Sequence, residues 1–423
     1  MPKLDPYNKM SKGFDVRLIC YYLALVIIGW ITIYSTCYIP DGSTPIFDFG
    51  QPYSKQMIWI GTSIVLATVI LLIDSGIIQH YAYFFYLFCL LLMILVIFIG
   101  AEINGAKSWI KIGSFSIQPT EFMKVATALA LAKFMQEGKT ANQRRYVWLV
   151  QFALVFIPVI VALLQHDAGS ALVFFSFIIL FYREGFSAEF LVIGIIAAIL
   201  AFITLKFNET YSLALITAVF IGFMIANRTQ KKKFRRNIIV YAACIAFVFS
   251  VNFMYEHGLE PHQKQRIDTI LGKTSDPLGA DFNLNQSKIA IGSGGFFGKG
   301  YLHGTQTKLN FVPEQSTDFI FCAIGEEWGF VGTLVVFGLF GALLFRILKL
   351  SEKQRNPFVR YYGYGITGIF AFHFFINIGM TTGLLPIIGI PLPFISYGGS
   401  SLWAFTIMPM LMKKWKAKMP VMP

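Results

Sequence analysis

The stretch "HYAYFFYLFCLLLMILVIFI" (80–99) decides the class of this protein, because it contains no Asp, Glu, Lys or Arg. A helix rises about 1.5 Å per residue, so a run of this length covers most of the roughly 30 Å hydrocarbon core of a bilayer. Comparable runs rich in Leu, Ile, Val, Phe and Ala recur along the chain. A membrane β-barrel would show shorter segments of alternating polarity. The sequence therefore predicts an all-α integral membrane protein.

The composition supports the same class. Of the 423 residues, 56% are hydrophobic and 13% are charged, whereas about 25% of the residues in a soluble domain are charged. We predict a single polytopic domain over 1–423, a helical bundle of about 12 transmembrane helices. The predicted spans are 17–37, 56–74, 80–99, 119–136, 146–165, 170–183, 187–206, 212–227, 238–255, 319–347, 363–382 and 399–412.

The basic residues predict how the spans are oriented. They are concentrated at 144–145, 228–237, 349–360 and 413–418, which share one side of the membrane if the N-terminus is cytoplasmic. Because cytoplasmic loops are enriched in Lys and Arg, both termini are predicted to be cytoplasmic. The net charge of +13 has the same origin. It is spread over several loops and not gathered in one domain, so no nucleic-acid binding is expected.

Two longer polar segments, 100–118 and 256–318, fall on the predicted outer side. The second is predicted to be a large structured loop, since it carries many apolar residues among its polar ones and a long loop in a compact protein is often functional. Basic residues on the outer side are not explained by the orientation rule and suit an anionic lipid headgroup or lipid pyrophosphate. They are Lys264, Arg266, Lys273, Lys288, Lys299 and Lys308.

The glycine-rich stretch "GSGGFFGKG" (292–300) does not match a nucleotide-binding P-loop. That motif needs Gly five positions before the Gly-Lys pair and Ser or Thr after it, but Ser293 and Gly300 stand at those places. Two interpretations stay open. The stretch is either a turn, or a nest of backbone N–H groups that approaches a phosphate or sugar, with Lys299 as counter-charge.

Asp276 in "SDPLG" also has two interpretations. Asp before Pro, followed by Gly, is a common turn signature. The alternative is a carboxylate held at the membrane surface as a general base.

Polar residues inside the predicted spans are costly, which makes them functional candidates. Glu121 and Lys124 lie on one helix face. Their ion pair either stabilises the packing of helices or forms a site for an anionic headgroup. Asp167 is expected to cap a helix. Glu326 and Glu327 need partners, and His373 and Asn377 are expected to form hydrogen bonds between helices. The stretch 383–401, with its prolines and glycines, predicts a broken segment that faces protein or a cavity.

Together, five stretches resemble the SEDS family (shape, elongation, division and sporulation proteins), in family order. They are "NGAKSWIKIG", "QPTEFMK", "QHDAGSAL", "DPLGADFNLNQSKIAIGSGGFFGKGYLHGTQTKLNFVPEQSTDFIFCAIGEEWGFVG" and "NIGMTTGLLPIIGIPLPFISYGGSS". Within them, "KGYLHGTQTKLNFVPEQSTDFIF" is similar to the rod-shape branch of the family. The family has ten spans, so the resemblance implies an extra helical hairpin, which we place at 207–255.

The resemblance implies a peptidoglycan glycosyltransferase that polymerises undecaprenyl-linked lipid II on the outer face of the bacterial inner membrane. It implies that Asp276 is the catalytic carboxylate of the loop 256–318. The partners it implies are a class B penicillin-binding protein and elongation-complex proteins, besides membrane lipids. It allows a divalent cation, Mg²⁺ or Mn²⁺, with unknown ligands and no organic cofactor. The predicted substrate-binding residues are Glu121, Lys124, Arg266, Lys288, Ser293, Gly294, Gly295, Lys299, Gln306, Glu314, Asp318 and Ser396.

Two other classes of protein would carry many of the same features. A lipid II flippase or transporter would have many spans and intramembrane charges, but it does not require a carboxylate in the outer loop. A non-catalytic scaffold for elongation or division proteins should tolerate the loss of Asp276 while keeping its partners.

Overall fold

The computed structural model describes most of the chain. It covers residues 15–38, 47–103, 105–113, 115–137, 144–186, 188–207, 209–226, 231–258, 264, 268, 282–309 and 311–417. The helices are α1 (Val16–Cys37), α2 (Pro52–Leu72), α3 (Ser75–His80), α4 (Ala82–Ile99), α5 (Pro119–Glu137), α6 (Arg144–Leu164), α7 (Ala168–Phe174), α8 (Ile178–Arg183), α9 (Ala188–Phe207), α10 (Glu209–Ala226), α11 (Lys231–Phe253), α12 (Phe282–Gly294), α13 (Ile320–Glu352), α14 (Pro357–Thr382) and α15 (Gly399–Ala417).

All twelve predicted spans fall on helical segments, and the span predicted at 170–183 is divided between α7 and α8 by a 3-10 turn at Phe175–Phe177. Seven helical segments in the described part of the chain are long and apolar enough to cross a membrane. The number of crossings therefore stays a prediction. The seven are Val16–Cys37, Pro52–Leu72, Ala82–Ile99, Val147–Leu164, Asn237–Gly258, Ile320–Glu352 and Pro357–Thr382.

The described residues are mostly helical, as predicted, but residues 100–118 contain strands that the sequence did not predict. Three antiparallel strands occur there in sequence order: β1 (Ala101–Ile103), β2 (Ala106–Ile112) and β3 (Phe115–Ile117). The turns contain Gly105 and Gly113, both with positive φ, a conformation that glycine adopts without steric cost. The strands are too short to show a clear alternation of polarity, which is why the sequence did not predict them.

The structure divides into two compact units, Met1–Arg183 with Gln286–Pro423, and Glu184–Asn285. In the second unit α10 and α11 pack together with α9, and the Phe220 and Tyr241 rings stack with centroids 4.2 Å apart. The helices α10 and α11 lie within the predicted hairpin 207–255, whose status as an addition to the family pattern stays a prediction.

In the first unit the central helix is α5, which packs against α4, α6, α14 and α15. Its small residues Ala126, Ala128, Ala130 and Ala132 are fully buried. Small side chains let neighbouring helix backbones approach closely, which is the usual way to pack helices inside a bilayer. Residues on every face of α5 between Pro119 and Ala132 are buried, so its sequence shows no amphipathic period.

The helix α13 is interrupted at Gly329, whose φ of 63° and ψ of −157° are not helical. A break leaves carbonyl groups without partners in the turn before it. Two of these carbonyls accept hydrogen bonds from the glycine-rich stretch: Lys299 N donates to Glu326 O and Gly300 N donates to Glu327 O, both at 3.0 Å. The first half of α13 is thereby capped.

The same stretch caps the second half of α13. Phe330 N donates to Gly295 O (3.0 Å), and Val331 N donates to Phe296 O (3.1 Å). Backbone that leaves helical geometry at membrane depth is tolerated only when its polar groups are satisfied by protein. The residues 295–300 therefore form a turn that supplies the four backbone partners required by the break in α13.

Close contact explains why the end of α12 and this turn are rich in glycine. A Cβ at Gly294 would lie 2.0 Å from Gly325 O, and one at Gly298 would lie 2.1 Å from Glu327 O. Gly298 also has a φ of 80°, which L side chains rarely adopt. Of the two interpretations of 292–300, the turn is the one that this geometry favours.

Candidate active site

A buried carboxylate, Glu326, holds the segment that follows the glycine turn. Its Oε1 accepts hydrogen bonds from Lys299 Nζ (2.7 Å), Thr305 N (2.7 Å), Thr305 Oγ1 (3.1 Å) and Gln306 N (2.9 Å). Its Oε2 accepts from Thr307 N (3.0 Å) and Thr307 Oγ1 (2.9 Å). Glu326 is fully buried, and hydrogen bonds to a charged group are about twice as strong as neutral ones. The segment 299–307 is therefore fastened to α13 through one side chain.

The neighbouring carboxylate of Glu327 faces α1, where Ser35 Oγ donates to Glu327 Oε1. Burial raises the pKa of the nearby Tyr301 phenol to about 12, and the charge of Glu327 adds to the rise. Tyr301 is thus a neutral phenol at physiological pH. The expectation that Glu326 and Glu327 need protein partners is confirmed by these contacts.

The broken segment after α14 is fixed by polar side chains. Asn377 Nδ2 donates to both Asp318 O and Ile390 O, each at 2.8 Å. Ser396 Oγ donates to Thr317 O at 2.6 Å. Residues 383–398 contain no helix, as the sequence predicted, and their backbone is held against the segment 311–319 and against α14. The prediction of interhelical hydrogen bonds is wrong for Asn377, whose partners are backbone carbonyls of the non-helical segments on either side.

We expect Ser396→Ala to lower the stability of the protein by about 1–3 kcal/mol, the cost of leaving buried groups without partners. The hydroxyl donates to Thr317 O and also accepts from Leu392 N (2.8 Å), so both contacts are lost. Thermal unfolding in detergent measures the effect. Ser293→Ala is the matched control, since Ser293 is exposed and its hydroxyl donates to the helix carbonyl of Ala290. Equal melting temperatures for Ser396→Ala and the control would contradict this role.

The Lys124–Glu121 pair is buried, with Lys124 Nζ 2.7 Å from Glu121 Oε1. Lys124 Nζ also lies 3.0 Å from His373 Nε2 and 5.5 Å from the centre of the Phe405 ring. His373 Nδ1 lies 3.1 Å from Pro391 O, a carbonyl that can only accept. The proton is therefore assigned to Nδ1, which leaves Nε2 to accept from the ammonium group. The pair links α5 to α14 and to the broken segment.

One oxygen of this pair, Glu121 Oε2, is buried and has no hydrogen-bond partner in the described part of the chain. The two interpretations of the pair both remain compatible with the geometry. The packing role is supported by the contact with His373, and a role toward an anionic headgroup stays a prediction.

The carboxylates of Asp167, at the start of α7, and of Glu314 and Asp318, before α13, lie near one another. Asp167 caps α7, as predicted: its Oδ1 accepts from Ser170 N (2.9 Å), while Gln118 Nε2 donates to its Oδ2 (2.7 Å). Asp318 is partly buried, and this burial raises the pKa of its carboxyl to about 7, with a further rise from the charges of Glu314 and Asp167. Asp318 is therefore a carboxyl group that titrates near neutral pH.

We expect Asp318→Asn to be more stable than the wild type, by a margin that grows as the pH rises from about 4 to about 7. The folded wild type retains a proton that the unfolded chain loses above its ordinary pKa of 3.8. Its stability therefore falls with rising pH across this window, and the cost is complete above pH 7. An amide removes that dependence, with a gain of about 1–3 kcal/mol at pH 8 after allowing for partial exposure. The melting temperatures of both proteins are measured between pH 4 and pH 8. A difference between them that does not change with pH would contradict the assignment.

The predicted site residues are only partly brought together. Lys299 and the backbone of Gln306 meet at Glu326. Ser293 and Gly294 end α12, and Gly295 begins the turn that packs on α13. Lys288 is exposed on α12. Asp276 and Arg266 lie outside the described residues. The role of all these residues in substrate binding stays a prediction.

Some residues of the site were not predicted from the sequence. Gln118 joins "QPTEFMK" to "QHDAGSAL" through Asp167, and Thr305 and Thr307 surround Glu326. Ser287 Oγ donates to Thr381 O (2.8 Å) and fastens α12 to the end of α14. The polar stretch "GTQT" (304–307) could have been proposed as a partner of Glu326 and Glu327, two carboxylates about 20 residues later that needed hydrogen-bond donors.

Comparison with known proteins finds a family and relatives that match nearly the whole chain. The family model described as "Cell cycle protein" (FtsW, RodA and SpoVE) matches residues 16–228 and 214–419. The chain is 33% identical over 425 aligned residues to "Peptidoglycan glycosyltransferase RodA" of Treponema pallidum, which covers 93% of this chain and 95% of that protein. It is 31% identical to "Peptidoglycan glycosyltransferase MrdB" of Escherichia coli K12, with 92% and 89% covered.

Solved structures share the fold. A chain from a peptidoglycan synthase complex, described as showing "structural coordination of polymerization and crosslinking", superposes with a TM-score of 0.68 at 26% identity, over 95% of this chain and 97% of that chain. The rod shape determining protein RodA of Thermus thermophilus superposes with a TM-score of 0.62 at 24% identity, over 95% and 96%. Because the family model covers nearly the whole chain, this protein belongs to the SEDS family, the FtsW/RodA/SpoVE family.

Proposed function

We propose that this protein is a peptidoglycan glycosyltransferase that polymerises lipid II on the outer face of the bacterial inner membrane during cell elongation. One observation carries the proposal: stretches far apart in the sequence meet in the first unit, through Gln118 with Asp167 and Asn377 with Asp318 O. These stretches are the ones that resemble the family. Relatives aligned over nearly the whole chain are named peptidoglycan glycosyltransferases.

The chemistry we propose is one inverting displacement. Asp276 takes the proton of the 4-hydroxyl of an acceptor N-acetylglucosamine, and that oxygen attacks the anomeric carbon of the donor N-acetylmuramic acid. The new glycosidic bond forms as the bond from the anomeric carbon to the undecaprenyl pyrophosphate breaks. Attack opposite the leaving group inverts the anomeric carbon, by the logic that governs inverting glycosidases.

The leaving pyrophosphate must be met by positive charge. Four basic residues are candidates for this role: Lys299, Lys288, Arg266 and Lys124. Lys299 and Lys124 are already paired with Glu326 and Glu121, so their charge is partly compensated. Lys288 is exposed on α12 and is the strongest candidate among the described residues.

A divalent cation would add further positive charge at the pyrophosphate. Within the described residues no group of three or more His, Cys, Asp or Glu side chains could hold a metal ion. We therefore assign no ligands to a cation and derive no step from one.

The partner we propose is a class B penicillin-binding protein, together with other proteins of the elongation complex. The similarity to a chain of a solved peptidoglycan synthase complex supports a partnership of this kind. Cytoplasmic termini and an outer active site follow from the distribution of Lys and Arg.

The test is polymerisation by the purified full-length protein in lipid nanodiscs, supplied with fluorescent lipid II, with and without the penicillin-binding protein. We expect a ladder of glycan products that a muramidase digests. Folded protein that makes no glycan in either condition would contradict the enzymatic proposal. Movement of labelled lipid II across vesicles without glycan would favour a transporter, and intact partner binding without either activity would favour a scaffold.

A further inference from the structure

The turn at 295–300 presents an exposed aromatic edge, which we define as Phe296, Phe297 and Phe330. The exposed fractions of these side chains are 58%, 80% and 55%. The Phe296 ring lies 4.9 Å from that of Phe297 and 5.6 Å from that of Phe330, measured between centroids. Three adjoining phenyl rings on one surface expose a substantial apolar area, and such a patch marks a binding surface.

Hydrogen bonds fix the backbone that carries the aromatic edge. Phe330 N and Val331 N donate to Gly295 O and Phe296 O, and Gly298 N donates to Gly294 O at 2.8 Å. The backbone of the turn therefore offers few unsatisfied groups at the point where the phenyl rings project. Satisfied backbone is the condition for placing a non-helical segment at membrane depth.

The length of α13 gives the depth of the aromatic edge. Arg346 forms an ion pair with Asp15 near the other end of this helix, with Arg346 Nε 3.0 Å from Asp15 Oδ2. From Arg346 to Phe330 a helix rises about 24 Å, and from Lys349 about 28 Å. The hydrocarbon core is about 30 Å thick, so if these charges lie at one boundary of the core, Phe330 lies just inside the opposite boundary.

The residues on either side of the break agree with this depth. On one side, Leu334 and Val335 are exposed apolar residues that continue the surface of α13. On the other side, the Trp328 and Tyr301 rings lie 5.9 Å apart, and Trp328 is 43% exposed. Trp and Tyr are enriched at the level of lipid headgroups. The aromatic edge lies between these two zones.

We propose that the aromatic edge inserts into the bilayer at the boundary between acyl chains and headgroups, and anchors the turn at 295–300 to the lipid. Phenyl groups gain free energy when they leave water, whereas the adjoining Lys299–Glu326 pair stays at the polar level. The anchor would fix the height of the segment 299–307 above the hydrocarbon core. The partner is the lipid itself, and the proposal does not depend on the enzymatic activity.

The first test measures the depth of position 297. The five cysteines are replaced by alanine, Phe297→Cys is labelled with an environment-sensitive fluorophore, and the protein is reconstituted in phosphatidylethanolamine–phosphatidylglycerol vesicles. Quenching is compared for lipids that carry a spin label at acyl carbon 5 or carbon 12, and for iodide in the buffer. Leu334→Cys serves as the acyl-chain reference. Glu102→Cys, at an exposed position in β1, serves as the water reference.

We expect the label at 297 to be quenched most strongly by the spin label at carbon 5, and at least about threefold less by iodide than the label at 102, as for a group inserted into the interface. Iodide quenching equal to that at 102 would place the edge in water and overturn the proposal. Protection from both kinds of quencher would mean that protein covers the edge, which also overturns it.

A second test retains all native cysteines, in case their replacement impairs folding. Phe297 is replaced by p-benzoylphenylalanine, which keeps an aromatic group at the position, and the protein in the same vesicles is irradiated. We expect intact-mass spectrometry to show the addition of one phospholipid. A crosslinked dimer, or no adduct from a protein with the wild-type melting temperature, would contradict insertion into lipid.

Discussion

Asp276→Asn is expected to reduce the rate of lipid II polymerisation by at least about 100-fold, the contribution typical of a general base. Asparagine has nearly the same size and shape as aspartate, but its amide cannot accept the proton of the attacking hydroxyl. The expectation rests on the resemblance of "DPLG" (276–279) to the family motif, because Asp276 lies outside the described residues. Initial rates of glycan formation in nanodiscs measure the effect.

The matched control for this prediction is Asp281→Asn, which removes an acidic group five positions away in the same segment. It should retain most of the polymerising activity. The melting temperature and the binding of the penicillin-binding protein should be unchanged in both variants. Near-normal polymer from a folded Asp276→Asn variant would contradict the assignment of the base. An equal loss in both variants would point to a general effect of charge in this segment.

The helices could be predicted from the sequence because their signal is strong and local. Apolar runs such as 80–99 and 17–37 are long enough to cross a bilayer whatever their neighbours are, so composition alone identifies them. The helical hydrogen bonds are formed within each run, which makes the prediction independent of tertiary structure. The strand pairs at 101–117 depend on register and turn geometry, for which short strands carry little pattern.

The candidate site was predictable in its charges and not in its contacts. The sequence predicts that the Glu326 carboxylate needs partners, but three of its six hydrogen bonds come from the backbone N–H groups of Thr305, Gln306 and Thr307. A backbone donor is present at every residue except proline, so its partner cannot be identified from side-chain type. Capping by Asp167 was predictable, because that hydrogen bond is local in sequence.

The contacts of the glycine stretch 292–300 were likewise not predictable from its own residues. The sequence allowed either a turn or a cradle for a phosphate, since both need a backbone without side chains. In the structure the N–H groups of Gly298, Lys299 and Gly300 donate to carbonyl oxygens of the protein itself. These carbonyl groups belong to the break at Gly329 in another helix. Nothing in the residues of "GSGGFFGKG" indicates that such a break lies beside them.

Glu326→Ala is expected to destabilise the segment 299–307 by more than about 4 kcal/mol, a loss that single substitutions seldom cause. The variant leaves the Lys299 ammonium and the donors of Thr305, Gln306 and Thr307 without their acceptor. The two donors of the buried Thr307 cost about 1–3 kcal/mol each when left without a partner. The more exposed donors of Lys299, Thr305 and Gln306 each lose a hydrogen bond to a charged group, which contributes about 1.5–3 kcal/mol. Glu326→Gln should also be strongly destabilised, because one carboxylate oxygen is replaced by an amide group that donates toward other donors.

Hydrogen exchange of the backbone amides can separate a local release from global unfolding. The amides of Thr305, Gln306 and Thr307 should be protected in the wild type and should exchange rapidly in Glu326→Ala. Lys299 N donates to the backbone carbonyl Glu326 O, which is unchanged by the substitution. Its protection should therefore persist if only the segment is released, since local opening and global unfolding expose different sets of amides.

Glu352→Gln is the matched control, because it removes a carboxylate from the same helix at an exposed position paired with Arg183. An exposed ion pair contributes only about 0–1 kcal/mol, so this variant should keep both its melting temperature and the protection of the 305–307 amides. If Glu326→Ala behaved like this control, the carboxylate would not be what fastens the segment, and the backbone bonds around Gly329 would have to hold it alone. If instead the 305–307 amides are released in Glu326→Ala and polymerising activity is lost with Asp276 intact, the position of this segment is connected to the proposed chemistry.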